Sequence, residues 1–198
     1  LMQGLSDGYF VLPYTIQNYL SAEILTPRMP VTGPEFEAAE SQVRERISKL
    51  MAVRGSQSVD ALHRKFGLLL WDFVGMARNR EGLQQAVKEF ALLREEFWSD
   101  VRIPGSADEL NPELEKAGRV ADFIEMGELM ARDALQREES CGGHFREEYQ
   151  TPDNEAQRDD EHFAHVAAWE YAGDGKLPIR NVEPLTFEYV KPSQRSYK

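Results

Sequence analysis

Apolar residues recur at three- and four-residue steps through most of the stretch from 36 to 130, in runs separated by turn-forming residues. That spacing restricts the chain to amphipathic helices packed against one another. The first run is Phe36, Ala39, Val43, Ile47 and Leu50, with Pro34 suited to the first turn and Gly55 at the exit. The second is Leu62, Phe66, Leu69, Phe73 and Met76, behind Ser58 as N-cap. The third is Leu83, Ala86, Phe90, Leu93 and Phe97, behind Asn79. Pro104 and Gly105 break the chain, and Asn111-Pro112 opens a fourth helix with Leu114, Ala117, Val120, Ala121, Ile124 and Met130 inward. The expected fold is mainly α. It is an antiparallel three- to four-helix bundle, spectrin-repeat-like, over residues 34–138, followed by a small β-hairpin segment in 139–198.

The flanks have a different grammar. Residues 1–20 are rich in Leu, Tyr, Val and Ile around Gly4, Gly8 and Pro13. Pro13 either kinks a helix there or sits near the start of a second one. Residues 26–34 hold three prolines and Gly33, which makes a linker. After Glu139 comes Ser-Cys-Gly-Gly-His, then a polar stretch and a β-prone run over 163–171. Asp174-Gly175 is a hairpin turn signal, and Ile179, Val182, Leu185, Phe187 and Tyr189 make the return, interrupted by Pro178 and Pro184. Residues 191–198 read as a basic, extended tail.

Charge narrows the partners. Among 198 residues, 23 Lys and Arg face 34 Asp and Glu, a net charge of −11. Nucleic acid is therefore not an expected partner, since binding it needs cations that release counterions. A lone cysteine, Cys141, excludes an internal disulfide framework and a Cys-based zinc site. The chain begins Leu1-Met2-Gln3-Gly4, without a basic n-region, and reads as though entered inside a helix. We expect a piece of a longer protein.

Few residue groups suggest chemistry. Gly173 and Gly175 form a G-x-G, but Pro178 stands where a dinucleotide fingerprint needs its third glycine, so a hairpin turn is expected. His162 and His165 share a face only on a helix. With a strand start there, no metal site is expected. Cys141 and His144 are a nucleophile–base pair without a third partner, so no catalytic residue is assigned. Glu95-Glu96, Glu138-Glu139, Glu147-Glu148 and Asp159-Asp160 are adjacent in sequence and read as solvated. The stretch Glu139, Ser140, Cys141, Gly142, Gly143, His144 and Arg146 is the candidate site. Two readings stay open: a helix end with a domain-crossing turn, or a loop held against a cofactor or partner subunit.

These residues resemble a known family. Arg137-Glu138-Glu139-Ser140-Cys141-Gly142-Gly143-His144, followed by Arg158-Asp159-Asp160, is similar to the C-terminal signature of the succinate dehydrogenase and fumarate reductase flavoprotein subunit. Trp71-Asp72-Phe73-Val74-Gly75-Met76-Ala77-Arg78-Asn79, Leu110-Asn111 with Ala117-Gly118-Arg119-Val120, and Gln194-Arg195-Ser196-Tyr197 agree in order and spacing. Where the widespread motif has Arg and Ala, this chain has Cys141 and Gly143, as a subgroup does.

The resemblance implies the last third of an oxidoreductase that interconverts succinate and fumarate. Residues 1–33 would then end the flavin domain, 34–138 form the helical domain, and 139–198 the C-terminal segment. FAD and the dicarboxylate would be held upstream of Leu1. The backbone of Leu1 is the cofactor contact that carries over, and this chain alone is expected neither to bind FAD nor to turn over. The implied partners are an iron–sulfur subunit and, through it, a membrane cytochrome b anchor. Location would be cytoplasmic, peripheral to the inner membrane. A stand-alone acidic adaptor, or the C-terminal region of L-aspartate oxidase, is the alternative.

Overall fold

The structure is a computed structural model that describes residues 1–173 and 175–193. It divides into two compact units, Leu1–Val43 and a second beginning at Arg44.

In the first unit, α1 spans Met2–Ser6 and α2 spans Leu12–Leu20, joined by a π-helical turn over Asp7–Val11. Pro13 explains the turn. A proline has no N–H and its ring collides with the carbonyl four residues back, so the widened turn accommodates it near the start of α2. Tyr9, Phe10, Leu12 and Ile16 are exposed.

The helix α3, Pro34–Val53, runs from the first unit into the second. Its predicted stripe is largely exposed: Phe36, Ala39 and Val43 face solvent, Ile47 is partly covered, and Leu50 is buried. Periodicity identified the helix correctly but overstated its burial. Leu50 and Val53 fasten its C-terminal end to the core, and polar contacts join them: Arg46 bonds the Gly118 carbonyl at 3.3 Å and pairs with Asp122, and the Lys49 ammonium lies 4.5 Å from the centre of the Trp98 ring.

The core is made by α4 (Val59–Phe73), α5 (Arg80–Asp100) and α6 (Pro112–Gln136). Each starts where an N-cap was expected. Ser58 accepts from the Ala61 N–H at 3.2 Å, Asn79 from Gly82 at 2.8 Å and Asn111 from Leu114 at 3.1 Å. Arg80 meets Glu138 and Arg94 meets Glu128, so the start of α5 faces the end of α6 and the two are antiparallel. Leu62, Phe66, Leu83, Ala86, Phe90, Leu93, Phe97, Ala117, Val120, Ala121 and Ile124 are buried, as their spacing predicts.

Leu69, Phe73 and Leu114 are partly buried against this core, and two further predicted core residues are exposed. Met76 is exposed because α4 stops at Phe73, and Val74 takes the buried place. Met130 is largely exposed because the inner face of α6 continues through Gly127, Glu128, Ala131 and Ala134. Gly127 lets two rings reach the backbone, since a Cβ there would sit 2.6 Å from Phe66 Cε2 and 3.2 Å from the Phe90 ring. Glu128 is tolerated on this face because Arg132 Nε and Nη2 grip one carboxylate oxygen at 2.9 and 2.7 Å while Arg94 takes the other.

A short parallel bridge ties the bundle's end: β1 (Gln57–Ser58) pairs with β2 (Val101–Arg102). The Gly55 N–H donates to the Val101 carbonyl at 3.0 Å, and Asp100 accepts from the Ser56 N–H at 2.7 Å and hydroxyl at 2.8 Å. Nothing but glycine fits at 55, because a Cβ would lie 2.0 Å from the Asp100 carbonyl carbon and oxygen. Gly55→Ala is expected to destabilise the fold by about 1–3 kcal/mol, because the clash is with backbone that cannot rotate away. A urea denaturation midpoint equal to that of the parent chain would refute it.

The C-terminal segment has a one-turn helix α7 (Asp160–Phe163) and the hairpin β3 (His165–Glu170) against β4 (Ile179–Pro184). The pairing is antiparallel with Trp169 opposite Arg180. Trp169 Nε1 donates to Asp133 at 2.9 Å and pins the hairpin to α6. The second strand is shorter than expected: Leu185, Phe187 and Tyr189 follow its end at Pro184. Asp174 of the turn signal and Gln194, Arg195, Ser196 and Tyr197 lie outside the described residues.

Candidate functional site

The turn from 139 to 148 closes the C-terminal end of α6. A helix end leaves carbonyls without partners, and these attract a cation. Arg146 supplies it. Its side chain is 0% exposed, and Nη1 donates to the carbonyls of Ala134 at 2.9 Å, Leu135 at 3.3 Å and Arg137 at 3.5 Å. Nε donates to Glu148 at 3.1 Å, and the guanidinium lies 5.4 Å from the centre of the Tyr149 ring. Nη2 is buried without a protein acceptor.

Ser140 fixes the backbone of that arginine. Its buried hydroxyl accepts from the Arg146 N–H at 2.8 Å and donates to the Arg146 carbonyl at 3.1 Å. Glu139 is buried as well. One oxygen accepts from Arg137 Nε at 2.8 Å, and the other from the Asp159 N–H at 2.9 Å. Cys141 and His144 exchange both main-chain hydrogen bonds, at 2.8 and 3.0 Å, across Gly142-Gly143. Gly142 has φ +59°, a conformation glycine adopts without strain.

A second strand of contacts comes from the α4–α5 connection. The Arg78 N–H donates to the Phe145 carbonyl at 3.0 Å, and the Glu147 N–H donates to the Arg78 carbonyl at 2.8 Å. Arg78 Nε also donates to the carbonyls of Val74 and Gly75 at 3.2 and 3.1 Å. Asn79 Nδ2 donates to Glu147 at 2.8 Å, and the Arg80 N–H to Glu148.

His144 sits between these parts. One ring nitrogen, Nε2, faces the Arg137 carbonyl at 2.9 Å, and Nδ1 faces Arg78 Nη1 at 3.0 Å. A carbonyl only accepts and a guanidinium only donates, so the proton must be on Nε2. Burial is the main cause that holds the imidazole below its ordinary pKa. The Arg137 carbonyl bond opposes this, and the charges of Arg78, Arg137 and Arg146 reinforce it. Burial also lowers Arg78, against the pull of Asp133. At Glu148 burial raises the pKa, but hydrogen bonds from the Arg80 N–H and from Arg146 outweigh it and leave a net depression.

The structure thus brings Glu139, Ser140, His144 and Arg146 into one network, with Cys141, Gly142 and Gly143 on its outer side. Leu1 belongs to the first unit and is exposed. The network is not a catalytic pair, since both ring nitrogens of His144 are engaged away from the Cys141 thiol. His162 binds Asp159 from α7 while His165 opens β3 and meets Arg180, so the two imidazoles have separate partners. Among the described residues no three His, Cys, Asp or Glu side chains group as metal ligands. Gly173 and Gly175 lie between β3 and β4, which is a hairpin connection and not a diphosphate cradle. An open cleft of about 430 Å³ beside the α4–α5 connection is lined by Asp72, Phe73, Ala77, Asn79, Glu81, Gly82 and Gln85. Its two carboxylates repel a dicarboxylate ligand. Among the described residues no helix is long and apolar enough to cross a membrane.

Glu139 corrects the solvated reading, while Glu147 and Glu148 stay exposed and bind from the surface. Glu138 pairs with Arg80, Glu139 is buried, Glu147 holds Asn79, and Glu148 holds Arg80 and Arg146. Sequence spacing also gave no role to Arg78 or Arg137. The available signal was Arg78 and Arg80 flanking the N-cap Asn79, two cations that the cap itself does not use.

A family profile described as "Fumarate reductase flavoprotein C-term" matches residues 63–197, which includes α5, α6, the turn and the hairpin. The chain belongs to that family. The fumarate reductase flavoprotein subunit of Escherichia coli K12 is 29% identical over 184 residues, covering 90% of this chain and 29% of that subunit. L-aspartate oxidase of Vibrio cholerae is 30% identical over 85 residues, 41% of this chain and 14% of that protein. A solved quinol–fumarate reductase with menaquinol molecules shares the fold, with TM-score 0.70 and 22% identity over 85% of this chain and 28% of the other. This member of the flavoprotein family therefore spans less than a third of the length of these relatives. Its bundle and turn are the family's C-terminal region.

Proposed function

We propose that this chain is the C-terminal part of a flavoprotein oxidoreductase that interconverts succinate and fumarate. It supports the FAD domain and docks an iron–sulfur subunit, which passes electrons to a membrane cytochrome b anchor. The whole assembly is then cytoplasmic and peripheral to the inner membrane through its partners. The observation that carries this is the family match across bundle, turn and hairpin.

Residues of this chain would contribute rigidity and not chemistry. The Arg146 and Glu139 bonds fasten α6 to the C-terminal segment, and Arg78 fastens the α4–α5 connection to the same turn. FAD would supply hydride transfer, with both the flavin and the dicarboxylate held by residues upstream of Leu1. The L-aspartate oxidase match favours a second reading, in which the same region serves an amino-acid oxidase.

Purification of the encoded protein from its own host, through a C-terminal tag in mild detergent, tests both. Bound flavin, a co-purifying iron–sulfur subunit and succinate-dependent dye reduction are expected. Peroxide formation with L-aspartate would favour the second reading, and flavin-free protein inert to both substrates would sink both. The purified 198-residue chain is expected to give no succinate-dependent dye reduction.

A further inference from the structure

We infer that His144 is a proton-operated latch that tightens the joint between the glycine turn and the α4–α5 connection when neutral and loosens it when protonated. The geometry is specific. The ring spans from the end of α6, at the Arg137 carbonyl, to Arg78 beyond α4, and works only with a lone pair on Nδ1. Protonation converts Nδ1 into a donor facing the Arg78 Nη1–H donors. It also adds a positive charge beside three others: Arg78 from the α4–α5 connection, Arg137 at the end of α6 and Arg146 within the turn. The nearest counterweights are committed elsewhere. Asp133 acts on Arg78, Glu139 pairs with Arg137, and Glu148 pairs with Arg146. The imidazolium therefore has an acceptor on one side and repulsion on the other.

The other bonds of the turn make it a hinge and not an unfolding site. Arg146 remains on α6 and Ser140 on Arg146 in either state, and the Arg78–Phe145, Glu147–Arg78 and Asn79–Glu147 bonds still span the joint, while the Arg78 contact to the ring is the one that protonation reverses. The sign follows from the depressed pKa. The neutral ring stabilises the closed turn fully above the unfolded-state value of about 6.5. That stabilisation is lost as pH falls from there toward the lower folded-state value. The inference concerns the turn alone and stands or falls independently of the proposed activity.

Hydrogen exchange of the full chain tests it, after correction for intrinsic rates. Between about pH 8 and about pH 5.5, protection of the amides of 144–147 and Arg78 is expected to fall about tenfold, with α5 unchanged. His144→Gln keeps a donor and an acceptor but cannot titrate, so its protection should be independent of pH. The same pH dependence in that variant, or none in the parent chain, would overturn the latch. Should His144→Gln not fold, ¹⁵N shifts of the parent's His144 ring decide. A neutral Nε2–H tautomer protonating below the ordinary range supports the latch, and a ring charged at neutral pH refutes it.

Discussion

Arg146→Met should lower the stability of the fold by about 3–5 kcal/mol, the range for removing one partner of a buried charged network. The side chain is fully buried, so its loss strips the end of α6 of the cation that satisfies three carbonyls and leaves Glu148 without its arginine. Methionine fills much of the volume but donates nothing. Segment 139–148 should lose hydrogen-exchange protection before the bundle does, because Ser140 would have lost the ordered backbone it grips. Arg146→Lys should recover part of the loss, since an ammonium keeps the charge but not the fork. The control is Arg119→Met, where an exposed pair with Glu115 one helical turn away is broken. If the two substitutions shift the urea midpoint alike, Arg146 does not hold the turn.

Phe90→Ala is expected to cost about 3–5 kcal/mol through lost burial and the cavity left behind. Phe90 is 0% exposed, its ring centre is 5.7 Å from that of Phe66, and both rings close on Gly127. The site cannot collapse easily, because Gly127 has no side chain to fill the gap and Glu128 holds α6 to Arg94 of α5. A thermal midpoint lowered by about 10 °C is expected for a domain of this size. A fall of about 1 °C would mean that the three helices do not share one core.

The two substitutions separate two layers of the molecule. The first acts where α6 meets the C-terminal segment, and the second acts where α4, α5 and α6 meet each other. Succinate-dependent activity of the complete enzyme, if the proposed function holds, should respond to both through loss of folded protein.

Much of the bundle was legible in residues 36 to 136. The caps Ser58, Asn79 and Asn111 act on N–H groups three residues on, and the stripes of α4 to α6 follow the helical repeat, so both are local properties of the chain. The resemblance in the Ser-Cys-Gly-Gly-His stretch was legible for the same reason, being a contiguous string. Local order does not say which face of α3 is covered, and its stripe is exposed at Phe36 and Val43. Nor does it say that Gly127 must be small, because that depends on two rings from other helices.

The site shows the divide most sharply. Arg78 and His144 are 66 residues apart, and Asn79 and Glu147 are 68 apart. Composition and spacing treat them as unrelated surface groups. Packing α6 against α5 brings the α4–α5 connection beside the end of α6, and there the hydrogen-bond requirements of buried polar atoms select the partners. Sequence order therefore settles helices, caps and family, since each depends on neighbours in the chain. Burial of Glu139 and Arg146 and the tautomer of His144 follow from the tertiary fold, because a buried charge or ring nitrogen is defined by what surrounds it.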